Sequence, residues 1–329
     1  MGRFRCPREQ TTSRSRLRGI ATASWCRLGS AAEKFRGAMR SFLASTCGVL
    51  AIVCLSSTFG QSQQPVKASE SVWFALQAEL GGKLYVVPIG TVAGGKIFPV
   101  PLGCEEKGPE FKKFETTYLR PLQSYSVTFG GAPAGVVVLK PPDPTFGGTL
   151  VNYDGPTHIH GPVMALAPNA KLSESEAPFR RAPSPEERKL ALQFANDSFA
   201  KSGLPATLLQ KTKVDNLTHT LLAPAKLPAL IGSLSVQVES ETGLTHALFF
   251  VATVRNGKLI PELEWVHISD GMTSQQWMSL IDHADLFEDG QDEIVVMHNY
   301  YEGYGFEIYR RTKDGTHWEQ IFDGPGPAC

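Results

Sequence analysis

Between Val72 and Leu166 the chain is cut repeatedly into short apolar runs by glycine pairs. "WFALQAEL" runs into Gly81-Gly82, "KLYVVPIGTV" into Gly94-Gly95, "SYSVTF" into Gly130-Gly131, and "GVVVL" into a proline-rich break. Runs this short, rich in β-branched and aromatic residues and closed by residues that suit tight turns, read as strands joined by turns. The tetrapeptide TFGG occurs at Thr128 and again at Thr145, a hint of meander regularity. Residues 61–166 are therefore expected to form an N-terminal β-sandwich or barrel.

The pattern then changes. "APNAKLSESEAPFRRAP", residues 167–183, is polar and proline-containing and reads as an exposed linker. A helix is predicted over 184–203. Ser184 caps it, Pro185 takes the first helical position, Glu187 completes a capping box, and Gly203 ends it. Leu190 and Phe194, with Ala191 and Ala195 one stripe over, give it an apolar face that is expected to pack on the following sheet. From 204 to 329 β-type runs return. Asn256-Gly257 and Asp314-Gly315 each separate two of them as a hairpin signal, and each pair is preceded by another run, "PALIGSLSVQV" or "DEIVVMHNY". This is the pattern of two copies of one three- to four-stranded unit. Two such units are too few to close a propeller, which takes at least about four. The whole is expected to be mostly β with one prominent helix, α+β in class, and its C-terminal part a β-hairpin repeat module.

Residues 1–60 stand apart by charge. They hold ten Lys or Arg against two Asp or Glu, leaving 22 against 30 in the remainder. That remainder is acidic, which argues against nucleic acid as a partner. Within "MRSFLASTCGVLAIVCLSSTFGQSQQP", from Met39, Arg40 precedes an apolar run from Phe42 to Leu55, and Thr58-Phe59-Gly60 gives a small-x-small cleavage pattern. The stretch reads as a Sec-type secretory signal around 39–60, with Met39 an alternative start. Its apolar run falls short of the ~20 residues that span a bilayer, so export to the periplasm or the medium is expected without stable membrane insertion. Four of the six cysteines fall in this region, leaving Cys104 and Cys329. In an oxidising compartment these two form a disulfide or remain two unrelated thiols.

One stretch carries a chemical pattern. In "DHADLFEDGQDEIVV" (282–296), Asp285, Asp289 and Glu293 are spaced around Gly290, and Gln291 can offer a backbone carbonyl. Calcium takes six to eight oxygens, and a tight loop supplies them from alternate positions around a glycine turn. The run from Ala284 to Val296 resembles the FG-GAP and VCBS-type repeats, in which a calcium loop leads directly into a strand. That resemblance implies a metal site made by Asp285, Asp289, Gln291 and Glu293, with Ca2+ as the only cofactor. Phe287 departs from the pattern, standing where a further acid would stand, and its ring has no oxygen to give. Weak affinity, roughly 10⁻⁴–10⁻³ M, is what the remaining oxygens would support. A tight turn in which Asp285 and Asp289 accept backbone hydrogen bonds is the other reading.

Further chemistry is sparse. His158 and His160 stand two apart in "THIHGP", on one face of an extended segment, and with Asp154 could hold zinc or copper. No G-x-S-x-G, H-E-x-x-H or phosphate loop is present. In "NYYEGYGFEIY" the period-two set Tyr304, Phe306, Ile308 is expected to face the core, leaving Tyr309 as an outward ring suited to a sugar or a protein partner. No catalytic residue is assigned. The leading expectation is an exported, non-enzymatic binding or structural protein with an extracellular or periplasmic ligand, carbohydrate or protein, and a weak calcium loop. A secreted metal-dependent hydrolase or metalloprotein acting through His158 and His160 is the alternative.

Overall fold

The computed structural model describes residues 70–78, 83–100, 108–141, 149–154, 163–167, 180–224, 227–238 and 244–326. The leader and signal, Cys104, Cys329, His158, His160 and most of the linker lie outside the described residues, and of Asp154 only the backbone is described. Gln63–Cys329 forms one compact unit.

The first strands are β1 (Ser71–Ala78), β2 (Leu84–Ala93) and β3 (Lys96–Pro99), followed by helix α1 (Pro109–Tyr118). Then come β4 (Ser124–Phe129), β5 (Ala132–Leu139), β6 (Thr149–Asp154) and β7 (Val163–Ala167). The order is β1-β7-β4-β5-β6-β2-β3, and β1 also pairs with β2, so six strands close into an antiparallel barrel with β3 attached outside. Closure removes the exposed edges that an open sheet of these strands would leave. Alternation sorts the side chains: Val72, Phe74 and Leu76 of β1 point into the barrel with Tyr125, Val127 and Val137, while Trp73 and Ala75 point out. Helix α1 puts Phe114 into the same interior, against Phe74 and Tyr118. The expectation of strands alone in this region overlooked that helix. Pro109 at its first turn and the spacing of Phe111, Phe114 and Tyr118 are its signals.

Helix α2 (Pro185–Lys201) starts behind the Ser184 capping box: Glu187 N–H donates to Ser184 Oγ at 3.2 Å, and Ser184 N–H to Glu187 Oε2 at 2.7 Å. Such caps are worth about 1 kcal/mol. Its buried stripe is Ala191, Ala195, Ser198 and Phe199; of the expected apolar face, Ala191 and Ala195 are buried and Leu190 and Phe194 half-buried. Small residues on that stripe let the helix lie close to the sheet below. Glu187 also takes both Arg181 guanidinium nitrogens, at 2.8 and 2.9 Å, and stands 2.7 Å from His219 Nδ1. Arg181 foremost, with the Ser184 amide and His219, holds the Glu187 carboxyl down to about 2 from 4.5. A depressed carboxylate stabilises the fold above its unfolded value, and that contribution is lost as pH falls from about 4.5 toward 2. Urea denaturation should show the wild type losing about 1–2 kcal/mol more than Glu187→Gln over that window, solvent screening the rest. Parallel acid limbs in the two proteins would refute the assignment.

After α3 (Ala206–Leu209) come β8 (Thr212–Leu222), β9 (Leu227–Gln237), β10 (Thr245–Arg255) and β11 (Lys258–His267), a four-stranded antiparallel meander. A second meander follows, with β12 (Gln276–Ala284), β13 (Glu293–Tyr300), β14 (Gly303–Arg311) and β15 (Trp318–Pro325). The two hairpin signals fall at the same place in each, between the third and fourth strands. Asn256 (φ 53°) and Gly257 (φ 70°) make a two-residue turn between the paired Arg255 and Lys258. Asp314-Gly315 instead lies inside a longer loop, because Arg311 pairs with Trp318.

The layers follow from the buried faces. Helix α2 covers the outer face of the first meander, on Leu217, Leu230, Leu234 and Phe250. The inner face, with Ile231, Phe249 and Val251, packs on Met278, Leu280, Ile294 and Val296 of the second. The far face of the second, with Ile281, Val295, Phe306 and Ile308, packs on the barrel wall at Trp73, Ala75, Val87 and Ile89. Both faces of the second meander are thus covered. This corrects the expectation for Tyr309: it is 7 % exposed, lies between the meanders, and donates its hydroxyl to Glu307 at 2.5 Å.

Candidate functional site

Strand β12 holds the layers together through a bulge. Leu280 pairs with Val296 but Asp282 pairs with Val295, so Ile281 is the extra residue. A bulge shifts the alternation of the strand by one. Asp282 is thereby turned to the barrel and His283 to the first meander. The Asp282 carboxylate, 0 % exposed, accepts from Gly130 N–H at 2.9 Å, Thr128 Oγ1 at 3.1 Å and Arg180 Nη1 at 3.3 Å. Arg180 also donates to the Ile281 carbonyl at 3.0 Å and lies 4.7 Å over the Phe129 ring. The first TFGG segment is thus the barrel's docking turn. Gly131 (φ 77°) lies so close that a Cβ there would meet the His283 ring at 3.0 Å. His283 Nε2 stands 2.6 Å from Thr220 Oγ1, and its Nδ1 2.9 Å from Asp292 Oδ2. Hydroxyl, imidazole and carboxylate are in the order used for nucleophilic catalysis. Here all three are buried, Thr220 at 0 % and His283 at 1 % exposed, beneath the docked turn. They serve as a fastening between meanders.

The acidic loop follows directly. Asp285 turns both oxygens inward, accepting from the amides of Asp289 at 3.0 Å and Gly290 at 2.6 Å. Asp289 accepts from Gln291 N–H at 3.3 Å and pairs with Arg310, while the Gln291 side chain reaches the Arg311 carbonyl at 2.7 Å. Glu293, 0 % exposed, accepts from Leu286 N–H at 2.9 Å through Oε2. Burial pushes its carboxyl up to about 8, against the pull of the Leu286 amide and Arg310. Among the described residues no three His, Cys, Asp or Glu side chains are grouped so as to hold a metal ion. Asp285, Asp289, Gln291 and Glu293 share this loop, with the Asp285 oxygens taken by backbone amides and Asp289 paired with Arg310.

A second feature lies along the seam between the meanders. A cavity of about 420 Å³ opens where the first meander meets edge strand β12, lined by Lys213, Asp215, Ser233, Ser235, Thr245 and Trp277 among others. Its origin is in the alternation of β9 and β10. On the face that looks toward the second meander, β9 runs Ala229, Ile231, Ser233, Ser235, and β10 runs Val251, Phe249, Ala247, Thr245. The apolar half is covered by the second meander, and the hydroxyl-bearing half lines the cavity. Asp215 and Lys213 stand 3.8 Å apart and offset each other's charge. Partial burial raises the Asp215 carboxyl, opposed by hydrogen bonding to Ser235 and by Lys213. The Ser233 hydroxyl is buried, the residue 6 % exposed, and has no hydrogen-bond partner. Trp277 is 42 % exposed.

Sequence reasoning missed this pocket. Its signal is the pair of serines in "PALIGSLSVQV", two apart in an otherwise apolar run and so on the same face as Ile231. No protein-family model matches the chain, and no curated protein or solved structure is significantly similar to it.

Proposed function

We propose that this chain is a non-enzymatic binding protein, acting outside the cytoplasm, that takes a small, neutral, hydroxyl-bearing ligand such as a monosaccharide in the pocket between its meanders. The observation that carries this reading is Ser233, a buried hydroxyl without a partner at the wall of an open cavity. Buried polar groups are nearly always paired, and one that is not has a partner to gain. The cavity falls in the range of about 300–1,000 Å³ usual for small-molecule sites, too small for a protein partner. The Lys213 and Asp215 pair leaves its wall without net charge, which favours a neutral ligand, and serine and threonine hydroxyls both donate and accept as sugar hydroxyls do. The Met39–Pro65 segment supports the location.

The test is thermal unfolding with D-glucose, D-galactose and N-acetylglucosamine as probes. A bound sugar at a hundredfold excess over its Kd should stabilise by about 2.7 kcal/mol. Ser233→Ala should leave the unliganded fold as stable as before, since it deletes an unpaired group, and weaken binding about 3- to 10-fold. Ser233→Leu should abolish binding by filling the cavity. Failure of every sugar to raise the Tm, or an undiminished rise in Ser233→Leu, overturns the reading.

A further inference from the structure

We propose that Arg310 is the resident cation of the Asp285–Glu293 loop and excludes calcium from it. Arg310 pairs directly with Glu293 across the β13–β14 ladder, so its side chain hangs over the loop. There it meets three groups at once. It pairs with Asp289, its Nε lies 3.3 Å from Glu293 Oε1, and its guanidinium lies 5.1 Å from the Phe287 ring centroid. Phe287 is the residue that denies calcium an oxygen, yet a ring face suits a weakly hydrated, planar guanidinium. The side chain that offers a metal no oxygen thus suits an arginine.

Glu293 gives the inference its weight. An exposed pair such as Arg310 and Asp289 contributes little by itself. Glu293 Oε1, by contrast, is fully buried and makes no hydrogen bond, the approach of Arg310 Nε lacking the alignment for one. Arg310 is the charged group that faces this unpartnered oxygen. With Arg310 gone, Asp289 and Glu293 would face the same vacated volume beside the Asp285 turn. A divalent cation is then the group that restores the charge balance, with water completing its shell.

The experiment is calorimetric titration of chelator-treated, full-length protein with calcium chloride, with Tm read in parallel. Wild type and Arg310→Lys should show no binding and no Tm change up to millimolar calcium. Arg310→Met should bind with a Kd of roughly 10⁻⁴–10⁻³ M and gain Tm with calcium but not with sodium chloride of equal ionic strength. Asp289→Asn added to Arg310→Met should remove that gain. Calcium binding by the wild type, or a folded Arg310→Met that binds none, overturns the proposal. Should Arg310→Met fail to fold in chelator, calcium in the refolding buffer should recover it, and failure to recover likewise overturns the proposal. The sugar pocket is untouched by these variants, so this outcome is independent of that one.

Discussion

Asp282→Ala is expected to lower unfolding free energy by about 3–5 kcal/mol, read from urea denaturation at neutral pH. The loss comes from what remains behind more than from what is removed. Arg180 is 7 % exposed in its side chain, and burial already lowers its guanidinium pKa against the support of Asp282. Without the carboxylate it is a buried charge left, among the described residues, with the Ile281 carbonyl and the Phe129 ring, and the Gly130 amide is orphaned as well. Replacing both partners removes the stranded charge, so Asp282→Leu with Arg180→Met should fall well short of the sum of the single losses. A loss below about 1 kcal/mol in Asp282→Ala would show that the barrel docks without this pair.

Phe249→Ala should be nearly as severe, at about 3–5 kcal/mol, or on the order of 10 °C in Tm. The ring is 0 % exposed and belongs to the core between the meanders, where Ser233 and Trp265 are its cross-strand neighbours. Truncation removes the transfer energy of a phenyl group and leaves a void that strands paired on both sides cannot close. Because that void adjoins Ser233, a sugar should also bind more weakly although no lining residue has changed. Phe249→Leu, which refills most of the space, should lose under about 2 kcal/mol. Equal losses in the two variants would mean that the ring's volume is not what matters there.

Local features were legible where a few adjacent residues decide them. The Ser184–Glu187 capping box, the Asn256-Gly257 turn and the Gly94-Gly95 turn between β2 and β3 each depend on backbone conformation within one short segment. What was hidden depends on partners far along the chain. Closure of the barrel needs β1 to pair with both β2 and β7, and nothing in "SVWFALQA" announces a second neighbour. The inward position of Tyr309 was misjudged because alternation identifies two faces and not how many of them will be covered. The acids at 285, 289 and 293 were visible, and Arg310, seventeen residues beyond Glu293, becomes part of their site only through the β13–β14 register. The bulge at Ile281 was likewise unreadable, since it is defined by pairing.

That bulge bears on how such a chain can be cut or recombined. The two meanders look like portable modules, but Asp282 engages the barrel and His283 the first meander from adjacent positions on one strand. A fragment beginning at the linker would keep Arg180 beside Asp282 but lose the Gly130 and Thr128 donors and carry Ile281 and Val295 into water. The duplicated unit is therefore tied to its neighbours on both sides, and fusion or truncation at the linker separates groups that only the uncut chain can satisfy.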